Sequence, residues 1–236
     1  GGPEEATKRS GIYLDLGVAY LQQGNPRKAL RTLKKARDLD DEDGRVYNAL
    51  ALTYQALGFD DKAEAAFEEA VDLNPKDPQI RNNYGVFLAK MGAYGRARTQ
   101  FEKALADPLY NTPETAYYNL GWLAKRKGDA EEAEGMLRTA LRLRPDYPPA
   151  RLTLVQLLRE EGELDQAGKE MTKLLEHHPE HVQGRLLAGE LALARQKPEA
   201  ARGHLDKVVE LAPDSSAAER SRSLLQRMDN SDAGRQ

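Results

Sequence analysis

The chain of 236 residues contains no cysteine, which excludes a disulfide framework, a thiolate metal site and a cysteine nucleophile. Its 35 Lys and Arg nearly balance 38 Asp and Glu, for a formal net charge of -3, so no basic footprint points to nucleic acid. No apolar run approaches the roughly 18–20 residues that cross a bilayer; 40% hydrophobic beside 31% charged residues fits a packed core under a highly charged surface.

The first residues, GGPEEATKRS, have no apolar periodicity, and 1–9 are expected to be a flexible lead-in. Because Gly1 is not a start methionine, a signal peptide or lipid-attachment site upstream would not be visible here. From residue 10 the chain repeats itself. Gly17, Ala51 and Gly85 are spaced by 34, Gly121 follows after 36, and Val155 and Gly189 after 34 each. That spacing resembles the tetratricopeptide period, one pair of antiparallel helices per repeat. With these residues at position eight, the repeats are 10–43, 44–77, 78–111, 114–147, 148–181 and 182–215. Position twenty is alanine in all six (Ala29, Ala63, Ala97, Ala133, Ala167, Ala201), as expected where two helices approach closely. Position twenty-four is large and apolar (Leu33, Phe67, Phe101, Leu137, Met171, Leu205). Position fifteen is glycine except at Gln196, which predicts a left-handed end to each first helix. Position thirty-two is Pro75, Pro145, Pro179 and Pro213, a stop for the second helix.

The predicted fold is all-α: a right-handed superhelical solenoid of six such repeats. Its inner wall is expected from positions 2, 5, 9 and 12 of each first helix, beside a buried stripe at 4, 7, 8 and 11. Repeat one places Leu14, Val18 and Leu21 on that wall, all apolar. Repeat two supplies Arg45 and Asn48, and repeat three supplies Asn82, with Asn83 at position six. Repeat four supplies Tyr118, Trp122 and Lys125, with Asn119 at position six and Arg126 alongside. These twelve are the candidate partner-binding residues. Amides can bond an extended peptide both ways, and Tyr118 with Trp122 are expected anchors of a hot spot. Residues 216–228 carry an apolar stripe from Ala217 to Met228 that predicts a capping helix, and 229–236 read as a disordered tail.

Catalytic and ligand-binding signals are missing. There is no phosphate-cradling glycine loop, no His-Glu-x-x-His helix and no nucleophile elbow, so neither an enzyme, a cofactor nor a metal is expected. The acidic run Asp38–Gly44 fails the calcium-loop register because Asp43 intervenes before the glycine. His177, His178 and His181 flank Pro179, which breaks the helix a metal pair would need.

One stretch is more specific than a generic repeat. Asn82-Asn83-Tyr84-Gly85, Phe87-Leu88, Pro108-Leu109-Tyr110 and Asn119-Leu120-Gly121 resemble the PilF/PilW/Tgl family of type IV pilus biogenesis lipoproteins, the pilotins. The resemblance implies binding to a PilQ-type secretin and assistance in its insertion and multimerisation, with other pilus assembly proteins as further partners. It also implies a place on the periplasmic face of the outer membrane, held by an N-terminal lipid anchor that this sequence does not include. The reading left open beside it is a cytoplasmic adaptor that grips an extended peptide in its groove.

Overall fold

The computed structural model describes residues 2–233, without the side chains of 232 and 233. Among them are thirteen α-helices and no strand: α1 Pro3–Gln22, α2 Pro26–Leu39, α3 Gly44–Ala56, α4 Asp60–Leu73, α5 Pro78–Lys90, α6 Tyr94–Leu105, α7 Pro113–Lys127, α8 Ala130–Leu143, α9 Pro148–Glu160, α10 Leu164–His177, α11 Val182–Ala194, α12 Pro198–Leu211 and α13 Ser216–Ala233. The chain divides into two compact units, residues 1–119 and 120–236. Each is an all-α solenoid of helix pairs, and each is described by itself.

Within a pair the helices run antiparallel. Ser10 Oγ, inside α1 near the start of the first repeat, donates to the Ala36 carbonyl at 2.9 Å, and the Gly44 N–H donates to Asn74 Oδ1 at 3.0 Å, so α3 begins beside the end of α4, while α1 runs on past the end of α2. What lets the pair close is the small column against the large one. All six alanines at position twenty are 0% exposed, and the partners at position twenty-four are 0–3% exposed. A Cβ on Gly17 would stand 2.5 Å from Leu33, and one on Gly85 2.5 Å from Phe101, far inside van der Waals contact. At Gly17 and Gly85 the large side chain of position twenty-four therefore fills the space a Cβ would take, whereas Ala51 and Val155 are buried at the same position of their repeats.

Neighbouring pairs join through positions three, seven and ten. Phe67 on α4 stacks on Tyr84 with centroids 5.4 Å apart and meets Phe87 at 5.3 Å, joining position twenty-four to positions seven and ten of the next repeat. This corrects the expected stripe. Position three (Val46, Ile80, Ala116, Ala150) and position ten (Thr53, Phe87, Leu123, Leu157) are buried. Position four (Tyr13, Tyr47, Arg81, Tyr117, Arg151, Arg185) is only half-buried, because it sits at the edge of the contact, where polar ends reach water.

Two further expectations are corrected. The lead-in is helical from Pro3, with proline at the first helical position and Glu4 and Glu5 favoured by the positive end of the helix dipole. The tail is helical through Ala233, and the rest of it, 234–236, lies outside the described residues.

Position fifteen is left-handed throughout. Five glycines have φ between 72° and 86°, and Gln196 takes the same region at 56°. A side chain there costs about 1–2 kcal/mol, partly offset by the freedom that glycine loses on folding. Gln196→Gly is expected to raise the unfolding free energy by about 0.5–1 kcal/mol, read as a shifted urea midpoint with unchanged slope. A fall would show that the glutamine side chain makes a compensating contact.

Candidate functional site

In the N-terminal unit the predicted wall of repeat one forms a cleft of about 520 Å³ with the wall of repeat two. It is lined by Leu14, Val18, Leu21, Arg45, Asn48 and Leu52, among others. Five of the twelve candidates thus meet around one depression. Leu14 is only 8% exposed and belongs to the core beneath the cleft, whereas Val18 and Leu21 are half-buried on its surface. Leu52, at position nine of repeat two, extends the apolar lining.

Arg45 stands at the rim with 63% of its side chain exposed, and Asp43 holds it at 2.7 Å. Asp43 also caps α3, accepting from the Arg45 N–H at 2.9 Å. Burial works against the charged carboxyl of Asp43, but bonding to the Arg45 side chain and backbone keeps its pKa below the usual carboxylate range. Part of the acidic run that fails the calcium-loop register is thereby a helix cap.

The amides bond mainly to one another. Gln79 donates to Asn83 at 3.0 Å, Asn83 donates to Asn48 at 3.2 Å, and Asn119 donates to Asn82 at 3.1 Å. Asn82 is 6% exposed, so its amide is a buried link between first helices rather than an open surface group. Tyr118 is half-buried on α7.

In the C-terminal unit Arg126 lies over the Trp122 ring at 5.5 Å, a cation–π contact. Lys125 Nζ is 2.8 Å from Glu160. The same pattern continues along the first helices: Arg159 pairs with Glu190 at 2.9 Å, and Glu190 also takes Arg220 at 3.2 Å. Glu160, Glu190 and Arg220 were not among the sequence candidates. Their pairing depends on the register between neighbouring repeats, which spacing within one repeat does not reveal.

A second set of missed residues had a readable signal. Arg81, Arg151 and Arg185, all at position four, donate to the carbonyls of Pro75, Pro145 and Pro179 at 2.5–3.0 Å. Each also reaches position twenty-three of its own repeat: Gln100 at 2.9 Å, Glu170, and His204 at 3.1 Å. Arginine stands at position four wherever proline stands at position thirty-two of the repeat before, a correlation between two columns. Burial and the Arg185 charge hold the pKa of His204 below its ordinary value.

The remaining histidines have structural neighbours. His178 lies 2.6 Å from Asp146, His181 accepts from the Gly184 N–H at the start of α11, and His177 contacts the Lys173 carbonyl. No group of three potential metal ligands converges among the described residues. No described helix is long and apolar enough to cross a membrane.

Comparison with known proteins agrees with this architecture. Tetratricopeptide repeat profiles match residues 14–78, 48–112 and 88–148, and a second profile of the same description matches 124–176 and 158–227. The crystal structure of PilW, described as a widely conserved type IV pilus biogenesis factor, is 28% identical with a TM-score of 0.83 over 92% of this chain and 98% of that one. The structure of PilF from Pseudomonas aeruginosa is 25% identical, with a TM-score of 0.81 over 94% of this chain and 99% of that one. Among curated sequences, the protein O-mannosyl-transferase Tmtc3 of Drosophila melanogaster is 33% identical over 84 residues, which is 36% of this chain but only 9% of that protein.

Proposed function

Since the chain belongs to the tetratricopeptide repeat family, we propose that it is a non-enzymatic pilotin-type scaffold of type IV pilus biogenesis, one that binds a PilQ-type secretin and promotes its multimerisation. The observation that carries this reading is likeness over whole length. PilF and PilW match 92–94% of this chain and 98–99% of their own, whereas the transferase match is confined to a repeat segment of a much longer protein. The reading includes anchoring to the periplasmic face of the outer membrane by a lipid on an upstream residue.

The proposed contact is the cleft at repeats one and two. Val18, Leu21 and Leu52 offer apolar area, while Arg45 and Asn48 supply a polar rim. Trp122 with its stacked Arg126 is a proposed second anchor. An adaptor that clamps a chain terminus needs unpaired cations on its wall. Lys125 and Arg159 are already paired with Glu160 and Glu190, which weighs against it.

The test avoids Leu14, whose burial would turn an acidic substitution into a folding defect. Val18→Asp with Leu21→Asp is expected to weaken binding to purified secretin periplasmic fragments by about tenfold or more, as two aliphatic contacts are lost. In cells the lipidated variant should accumulate monomeric secretin. Unchanged affinity in a variant of native helical content would remove this cleft from the interface.

A further inference from the structure

The second helix of the first repeat carries a charge pattern that the partner-binding cleft does not use. α2 has six basic residues against the single acidic Asp38. At about 100° per residue, Arg27, Lys28, Arg31, Lys34 and Lys35 fall within an arc of about 120°. Opposite them are Ala29, Leu33 and Ala36, each 0% exposed, which seat the helix on the core. All five cations are exposed. Lys28 and Lys35 lie over the rings of Tyr20 and Tyr13 on α1, at 5.4 and 5.8 Å, so their stems are braced while their charges stay at the surface. Among the described residues only Arg37 of this helix forms an ion pair, with Asp38 at 2.9 Å.

We propose that this face of α2 docks on an anionic phospholipid surface. Five unpaired like charges along one helix repel one another, and an extended sheet of negative charge relieves that repulsion without matched side-chain geometry. Two other polyanionic partners fit less well. The arc holds no aromatic side chain on which a nucleobase could stack. A second copy could offer α4, which has six acidic residues against the single Lys62. But Glu64 and Glu68 of α4 are already engaged by Arg96, at 2.8 and 3.6 Å, and exposed ion pairs contribute little against the cost of association. The inference does not depend on the secretin reading, and a lipid anchor upstream would add to the attraction rather than create it.

The experiment is co-sedimentation of the 236-residue chain with vesicles containing about one-third phosphatidylglycerol in phosphatidylcholine, beside vesicles of phosphatidylcholine alone. A basic residue near such a surface is worth about fivefold in partitioning, so Arg31→Gln with Lys34→Gln should weaken binding about 25-fold. Binding should also collapse at about 0.5 M salt, where screening is short-ranged. The pair Lys127→Gln with Arg142→Gln, exposed basic residues of the other unit, should leave binding unchanged. The proposal is overturned by equal binding to both vesicle types, or by equal losses in the two variant pairs. It is also overturned if the chain self-associates in sedimentation velocity and Arg31→Gln with Lys34→Gln abolishes that association without affecting vesicles; α4 of a second copy would then be the occupant.

Discussion

Phe67→Ala is expected to lower the unfolding free energy by about 3–5 kcal/mol. Phe67 is 0% exposed, and it contacts two aromatic rings of the next repeat, Tyr84 and Phe87. Alanine therefore removes both the transfer energy of the ring and the aromatic contacts across a repeat junction. Stacked repeats hold together through nearest-neighbour interfaces, so the damage should be greatest where α4 meets α5. Amide exchange should show α4 and α5 losing protection before α1 and α2. A loss below about 1 kcal/mol in urea titration, or uniform exchange along the unit, would mean that the junction tolerates repacking.

The second large effect is expected at Arg151. Its guanidinium donates to Glu170, whose side chain is 9% exposed, and to the Pro145 carbonyl at 2.5 Å. Arg151→Met keeps the apolar stem but leaves a nearly buried carboxylate with Lys173 at 2.9 Å and the more distant Arg138 at 4.0 Å. The expected cost at neutral pH is about 2–4 kcal/mol, mostly for a buried charge left short of partners. The pH dependence has a definite sign. Burial pushes the Glu170 carboxyl up, but bonding and charge from Lys173, then Arg151, bring it below its ordinary 4.5. A depressed folded pKa gives stability that is present above the unfolded pKa and lost as pH falls through the folded one. The gap between wild type and Arg151→Met should therefore narrow from neutral pH to well below 4.5. An equal gap at both ends would assign the loss to the proline carbonyl and packing instead.

The helix pairing was legible because its causes are local to the repeat. The alanines at position twenty and the large residues at twenty-four lie on one helix, four residues apart, and meet a first helix only a short turn away in the chain. Helical ends were legible for the same reason, through glycine at fifteen and proline at thirty-two. Where local reading failed, apolar periodicity was the wrong signal to follow. Residues 1–9 lack apolar periodicity, yet α1 extends through them from Pro3, because an exposed helix needs only a favourable start and continuation from a packed one.

For the candidate site the division is sharper. By itself the sequence determined that Val18 and Leu21 share a helical face and that Arg45 and Asn48 occupy the corresponding face one repeat on, since period and spacing follow from helix geometry. Only the tertiary structure decided that Leu14 lies beneath that face, that Asn82 is spent on Asn119, and that Lys125 is neutralised by Glu160 from 35 residues away. The physical reason is that a residue's helical angle is set by its own helix, whereas its burial and its partner are set by the neighbouring repeat. Two side chains with the same position number can therefore face water in one repeat and a carboxylate in the next.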